Sequence, residues 1–349
     1  MTPALTINHR PVGPGHPVYI IAEMSANHHQ NFDQAVKIIE AAKAAGADAV
    51  KLQTYTPETI TIDCDTEYFR IKGTIWEGKN LYELYGEAFT PWEWQPKLKA
   101  IADKLGIVLF STPFDPTAVD FLEKMDVPAY KVASFELVDL PLLSKIAQTG
   151  KPIIMSAGMA TLAEIDEAVR TIRRAGGREL ALLKCVSAYP APPEETHLRT
   201  IAHLSETFGL PAGLSDHTLG IAVPVAAAAL GASIIEKHVT LSRSTPGPDS
   251  SFSLEPSELA EMVAAIRTAE KAVGRVCYDV TDAQKASRVF RRSLFAVADI
   301  AAGERFTKDN VRSIRPGNGL HPRYLDTVLQ RRARMAIARG TPLSFDLLA

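Results

Sequence analysis

The chain has 349 residues, 46% hydrophobic and 22% charged, and its 38 Lys and Arg nearly balance 40 Asp and Glu for a net charge of −2. That composition excludes a disordered chain and the basic footprint of a nucleic-acid binder, while the length allows one elaborated barrel or a large domain plus a small one. No apolar run approaches the ~20 residues needed to span a bilayer. The first ten residues have no signal-peptide core, and Cys64, Cys185 and Cys277 form neither a disulfide framework nor a zinc spacing, so a reducing cytoplasm is expected.

Residues 1–17 carry prolines at 3, 11, 14 and 17 and glycines at 13 and 15, and read as extended chain around a turn. Leu5 to Ile7 is expected to pair with Val18 to Ile20 as a hairpin. The run from Val18 is the first buried strand and ends in Glu23. Phe32 to Ala45 has helical spacing stopped by Gly46, and Ala49 and Val50 lead a strand into Lys51 and Gln53. From Thr54 to Thr90 no period is strong, yet aromatics are frequent, which marks a functional excursion. Regular alternation follows, with strands starting near 107, 129, 152, 180, 211 and 233 and helices between them, among them one capped by Thr161 with Glu164 three positions on and a last long helix from Pro256 to Val273.

Counting those near 18 and 49, eight short strands, each followed by helix, predict a (β/α)8 TIM barrel over residues 18–274. An open doubly wound sheet lacks the G-x-G-x-x-G turn that its dinucleotide version would need. Beyond Gly274, residues 275–289 read as a linker and residues 290–349, with short strands and a G-N-G turn, as a small independent domain.

Polar residues recur where the predicted strands end, which is where barrel enzymes place their chemistry. His217 and His238 follow two strands joined by one crossover segment, so they belong side by side at the same end. Two imidazoles with several open positions suit octahedral Mn2+ or Mg2+ better than a four-ligand structural zinc; either histidine taken alone reads rather as a surface or satisfied core residue, and it is the pair that points to a metal. Lys51, Lys131, Lys184 and Lys237, with Ser134, Ser156, Ser187 and Ser215, describe a pocket for an anion bearing phosphate and carboxylate. Pairing of the lysines with Glu23 or Glu236, or a Schiff base on one of them, are the competing roles. Glu23 is the candidate general acid or base, with a salt bridge as its alternative.

Several longer motifs carry a resemblance: I-I-A-E-M-S-A-N-H, A-G-A-D-A-V-K-L-Q-T-Y, Y-K-V-A-S-F-E, K-C-V-S-A-Y-P, G-L-S-D-H-T and I-E-K-H-V-T-L. In that order the chain resembles the sialic acid synthase family, which condenses phosphoenolpyruvate with an amino sugar. The resemblance implies a barrel followed by a small antifreeze-like (SAF) domain, in a homodimer swapped so that this domain caps the partner's site. By position it implies that Lys51, Lys131, Ser134, Ser156, Ser187 and Ser215 bind phosphoenolpyruvate and that His217 and His238 hold a divalent metal, usually Mn2+, with Mg2+ or Co2+ as options. It further implies Glu23 as the acid/base, Gln53, Tyr189 and Asp249 at the sugar, and Arg315 reaching its acyl group. Ser187 in C-V-S-A-Y-P, where N-acetylneuraminate enzymes carry asparagine, resembles the pseudaminic branch, as do F-R-I-K-G-T-I-W-E-G-K-N-L-Y-E-L-Y and G-L-H-P-R-Y. The sugar of that branch is a diacetamido-trideoxy hexose, for which Phe69, Ile71, Trp76 and Tyr82 offer either an apolar wall or a lid packed on its own aromatics.

Overall fold

Short runs of Val, Ile and Leu bounded by polar residues cannot bury both faces alone, and here they close on one another. In the computed structural model, which describes residues 4–349, eight parallel strands form a closed barrel: β3 (Tyr19–Glu23), β4 (Ala49–Thr54), β5 (Val108–Pro113), β6 (Tyr130–Val132), β7 (Ile153–Ser156), β8 (Leu180–Cys185), β9 (Ala212–Asp216) and β10 (Ile234–His238). They are adjacent in chain order and β10 closes on β3. The principal helices are α1 (Phe32–Ala44), α2 (Pro57–Ile60), α3 (Leu81–Ala88), α4 (Gln95–Leu105), α5 (Pro116–Lys124), α6 (Leu140–Gln148), α7 (Leu162–Arg174), α8 (Arg199–Phe208), α9 (Ala222–Ala229) and α10 (Pro256–Val273). Thr161 and Glu164 form the expected capping box of α7. One continuous hydrophobic core runs through barrel and helices. No helix is long and apolar enough to cross a membrane among the described residues.

The N-terminal hairpin differs from expectation. β1 (Leu5–Ile7) pairs with β2 (Arg10–Val12), not with the first barrel strand. Asn8 and His9 both have positive φ, 45° and 66°, so the chain reverses in a two-residue turn of the type that matches strand twist. Residues 1–3, including Pro3, lie outside the described residues.

The chain divides into two compact units between Gly274 and Arg275. The second has its own core of Leu294, Ile300, Phe306, Val311, Val328 and Leu343 around an antiparallel pair, β11 (Ser293–Ala296) and β12 (Val311–Ile314). Residues expected to be plain linker include α11 (Asp282–Ser287), which Thr281 and Gln284 start with a capping box.

Candidate active site

Alternation along the strands decides which strand-end groups reach the barrel interior. Glu23 is the last residue of β3 and lies beside Lys51 in register; Ser215 and Glu236 are register partners on β9 and β10. Lys51 Nζ lies 3.1 Å from Glu23, 3.1 Å from Glu236 and 3.3 Å from Thr112 Oγ1. Lys131 Nζ donates to Ser156 Oγ at 2.7 Å and to the Val132 carbonyl at 3.0 Å, with Glu236 at 3.8 Å. Ser215 Oγ donates to Glu236 at 3.2 Å. Two ammonium groups therefore share one buried floor with two carboxylates.

Burial raises the Glu23 carboxyl above its ordinary range; the Lys51 ammonium opposes this and the Glu236 charge adds to it. Burial also lowers the Lys131 ammonium to about 8, although Glu236 works against it. Glu236 is held low by Lys131 and Lys51 in spite of burial. The floor has the charge pattern of a site that trades internal pairs for an anion's oxygens.

Ser134 and Ser187 sit on either side of Gly158. A Cβ built there would lie 2.5 Å from Ser187 Oγ and 2.7 Å from Ser134 Oγ, so the residue must be glycine for the two hydroxyls to approach. Ser134 Oγ accepts from the Gly158 amide at 3.0 Å, while Ser187 Oγ is buried without a partner among the described residues. An unpartnered buried hydroxyl beside an open backbone cradle is a donor waiting for a ligand.

Two of the four expected pocket lysines face elsewhere. Lys237 is fully buried and its ammonium pairs with Asp216 and the Thr218 carbonyl. It alternates with Glu236 and His238, so it points outward from the barrel, and so does its register partner Asp216. Lys184 alternates with Cys185 in the same way and donates to the Cys185 carbonyl at 3.2 Å. The anion floor is built by Lys51 and Lys131.

His217 and His238 are brought together with ring centroids 5.3 Å apart. His217 Nδ1 lies 2.8 Å from the Val186 carbonyl, to which its N–H donates, leaving Nε2 free. His238 Nδ1 is buried with no hydrogen-bond partner among the described residues, and burial, helped by the positive charge of His217 when it is protonated, keeps the ring neutral. Burial lowers the His217 ring, but the Cys185 thiol beside it and the Val186 carbonyl outweigh burial and raise it, so a divalent ion would take the place of a proton there; two adjacent imidazoles, one of them neutral, fit the expected metal on those terms. Among the described residues no group of three or more His, Cys, Asp and Glu is arranged for a metal, so two histidines would leave the remaining positions to water and substrate.

A cavity of about 350 Å3 opens from this floor, lined by Ser25, Gln53, Tyr189, His238 and Asp249 on its inner side. Gln53 Nε2 donates to Glu23 and to Ser25, both at 2.9 Å, and Ser25 donates to Asp249. Tyr189 packs on His217 at 4.5 Å and on Trp76 at 5.4 Å, and the Trp76 indole N–H donates to the Pro248 carbonyl at 2.9 Å. Of the expected apolar wall, Trp76 lines the cavity; Phe69, Ile71 and Tyr82 do not. The Tyr82 hydroxyl is turned away to Glu58. Leu84, Tyr85 and Ala88, at helical spacing on one face of α3, stand in their place.

Two groups go beyond the sequence reading. Glu236, expected as a partner for lysine, is the carboxylate that bridges Lys51 and Lys131, and its spacing of two from His238 on a strand is the signal for a shared face. Glu136 lines the cavity from a 3-10 turn (Ser134–Val138), has a buried Oε2 without a partner among the described residues and is pushed up to about 7 by burial; no sequence pattern points to it. Arg315 belongs to the second unit, just after β12.

Residues 38–278 match the NeuB family and residues 291–349 the SAF domain. The chain is 44% identical to a pseudaminic acid synthase of Helicobacter pylori over 95% of this chain and 97% of that one. It is 45% identical to a pseudaminic acid synthase of Campylobacter jejuni over 93% and 95%. A crystal structure of the Bacillus subtilis spore coat polysaccharide biosynthesis protein SpsE aligns with a TM-score of 0.68 at 35% identity, covering 99% of each chain.

Proposed function

Because the chain belongs to the NeuB family, we propose that it acts as a pseudaminic acid synthase, condensing phosphoenolpyruvate with 2,4-diacetamido-2,4,6-trideoxy-L-altrose and releasing phosphate. The observation that carries the reading is the likeness to the Helicobacter pylori enzyme along nearly the whole of both chains. The buried lysine and serine floor next to a histidine pair supports the chemistry.

Lys51 and Lys131 neutralise phosphoenolpyruvate, and Ser134, Ser156, Ser187 and Ser215 hold its oxygens around the Gly158 cradle. His217 and His238 would hold a divalent ion, Mn2+ by preference, whose contribution is Lewis-acid polarisation of the sugar aldehyde. Gln53, Tyr189 and Asp249 orient the open-chain sugar so that C3 of phosphoenolpyruvate attacks C1. Water then adds to C2, and phosphate leaves with cleavage of its C–O bond. Glu23, whose raised carboxyl can exist in either protonation state near neutrality, manages the proton of the water or of a sugar hydroxyl. The working assembly in this proposal is a cytoplasmic, domain-swapped homodimer in which Arg315 reaches the substrate acyl group of the partner barrel.

The test is phosphate release from phosphoenolpyruvate across a sugar panel, with and without EDTA. The altrose sugar is expected to exceed N-acetylmannosamine and its diacetamido relative at least ~10-fold in kcat/KM. EDTA should abolish turnover and Mn2+ restore it. Preference for a mannose-type sugar would make the chain an N-acetylneuraminate or legionaminate synthase, and no phosphate release with any sugar would remove the enzymatic reading altogether.

A further inference from the structure

The mouth cavity has two chemically different ends. At its inner end Gln53, His238 and Asp249 form a polar side that adjoins the anion floor, and the Glu136 carboxylate, whose charge acts on Tyr85, is a further polar group of the lining. Its outer end is built by the excursion between β4 and α4: Ile60 comes from α2, Leu84, Tyr85 and Ala88 from one face of α3, and Tyr55 and Phe114 close the space. Tyr55 meets Tyr85 edge to face at 5.5 Å and Phe114 at 5.1 Å, and its carbonyl accepts from the Trp92 indole at 3.1 Å. Packing on both flanks makes this wall a shaped surface and not a loose flap.

We infer that this outer end is the subsite for the second, distal acylamino group of the sugar. The inference rests on the proposed function, because it requires a diacylated sugar whose aldehyde lies at the histidines. A sugar held there by C1 must extend its chain outward along the cavity, carrying the substituent at C4 toward the excursion. An acylamino group has a methyl that gains from apolar contact and an amide that must not be left unpaired. Ile60, Leu84, Ala88 and Phe114 supply the first requirement, and the hydroxyl-bearing rings of Tyr55 and Tyr85, with the Glu136 carboxylate in the same lining, the second. A C6 methyl alone would have no use for the tyrosines, and a C4 hydroxyl none for the aliphatic surface. The cavity volume of about 350 Å3 lies at the low end of the ~300–1,000 Å3 usual for small-molecule sites, so adding or removing one side-chain group at the outer end should be felt.

Ala88→Leu fills the outer end, and Leu84→Ala enlarges it. Each variant, with the parent protein, is assayed for kcat/KM on the diacetamido sugar, on its counterpart with a C4 hydroxyl, and on an analogue with a C4 butanamido group. Ala88→Leu is expected to lower the ratio of diacetamido to hydroxyl sugar at least ~10-fold, the usual size of a crowded or missing methylene contact. Leu84→Ala should raise the ratio of butanamido to acetamido sugar at least ~5-fold. Ratios within twofold of the parent's in both variants would overturn the subsite. Should Ala88→Leu fail to fold, the Leu84→Ala ratio decides alone. A parent protein inert on all three sugars would instead sink the functional reading on which the subsite depends, and the subsite with it.

Discussion

His28 shows how one buried imidazole makes the barrel sensitive to acid. The Gln30 amide donates to its Nδ1 at 3.1 Å, so the proton sits on Nε2, which lies 3.0 Å from Thr90 Oγ1, and the ring meets Trp94 edge to face. Burial, followed by the neighbouring His29 charge, lowers it from 6.5 to about 4. Below pH 6.5 the unfolded chain takes up a proton that the folded ring refuses, so stability present above 6.5 is lost as the pH falls toward 4, by about 3 kcal/mol in full. Urea unfolding of the parent and of His28→Gln between pH 7 and 4.5 should therefore show a shallower pH slope in the variant. Parallel slopes would mean that the ring is protonated in the fold. Gly158 acts at the same scale on function. Gly158→Ala places a Cβ against Ser134 and Ser187, and kcat/KM for phosphoenolpyruvate should fall at least ~100-fold with a melting temperature within a few degrees of the parent's. Retention of turnover would show that the two hydroxyls are not used.

At the scale of elements, the strands that carry the two histidines are fastened from outside the barrel. Lys237 on β10 and Asp216 on β9 are register partners, both buried, and Thr218 Oγ1 and its amide also donate to Asp216. Lys237→Met would leave that carboxylate buried without its cation, a loss of about 3–5 kcal/mol, whereas the double change with Asp216→Asn should recover most of it. Denaturant midpoints of the parent, the single and the double variant measure this, and a double variant as unstable as the single one would refute the coupling. The same pair marks where the sequence could and could not be read. Lysine and histidine at strand ends were legible as chemistry, and the eight strands were legible because each is a short apolar run between helical periods. Which face a strand-end residue takes depends on parity from the last inward residue, which residue type alone does not give for Lys184 and Lys237. The 54–90 excursion has no dominant period, so its aromatics were legible only as a group. The turn of α3 and its packing on Tyr55 and Phe114 choose Leu84, Tyr85 and Ala88 over Tyr82. The hairpin is not legible in the sequence because its turn is made by the left-handed backbone of Asn8 and His9 and not by the proline and glycine cluster that follows.

For the whole molecule, the near-zero net charge conceals a division. The unit from Arg275 onward holds fourteen of the 38 Lys and Arg but seven of the 40 Asp and Glu, so it carries about +7 against about −9 on the barrel unit. Opposite charges of that size favour association of the two kinds of unit and make it sensitive to salt. In the proposed swapped homodimer, each mouth combines the barrel of one chain with the small unit of the other, so defects in the two parts should complement across chains. Arg315→Ala and His217→Ala proteins are each expected to be nearly inactive alone. After co-refolding in equal amounts, half of the dimers are mixed, and one mouth in each mixed dimer has an intact barrel and an intact Arg315, so activity should return to about a quarter of the parent value. An Arg315 that served its own barrel would give no such recovery, because every mouth would then lack either the arginine or the histidine. Raising the salt concentration during mixing should change the rate at which activity appears without changing its final level, since screening weakens the encounter of oppositely charged units more than their packed contacts.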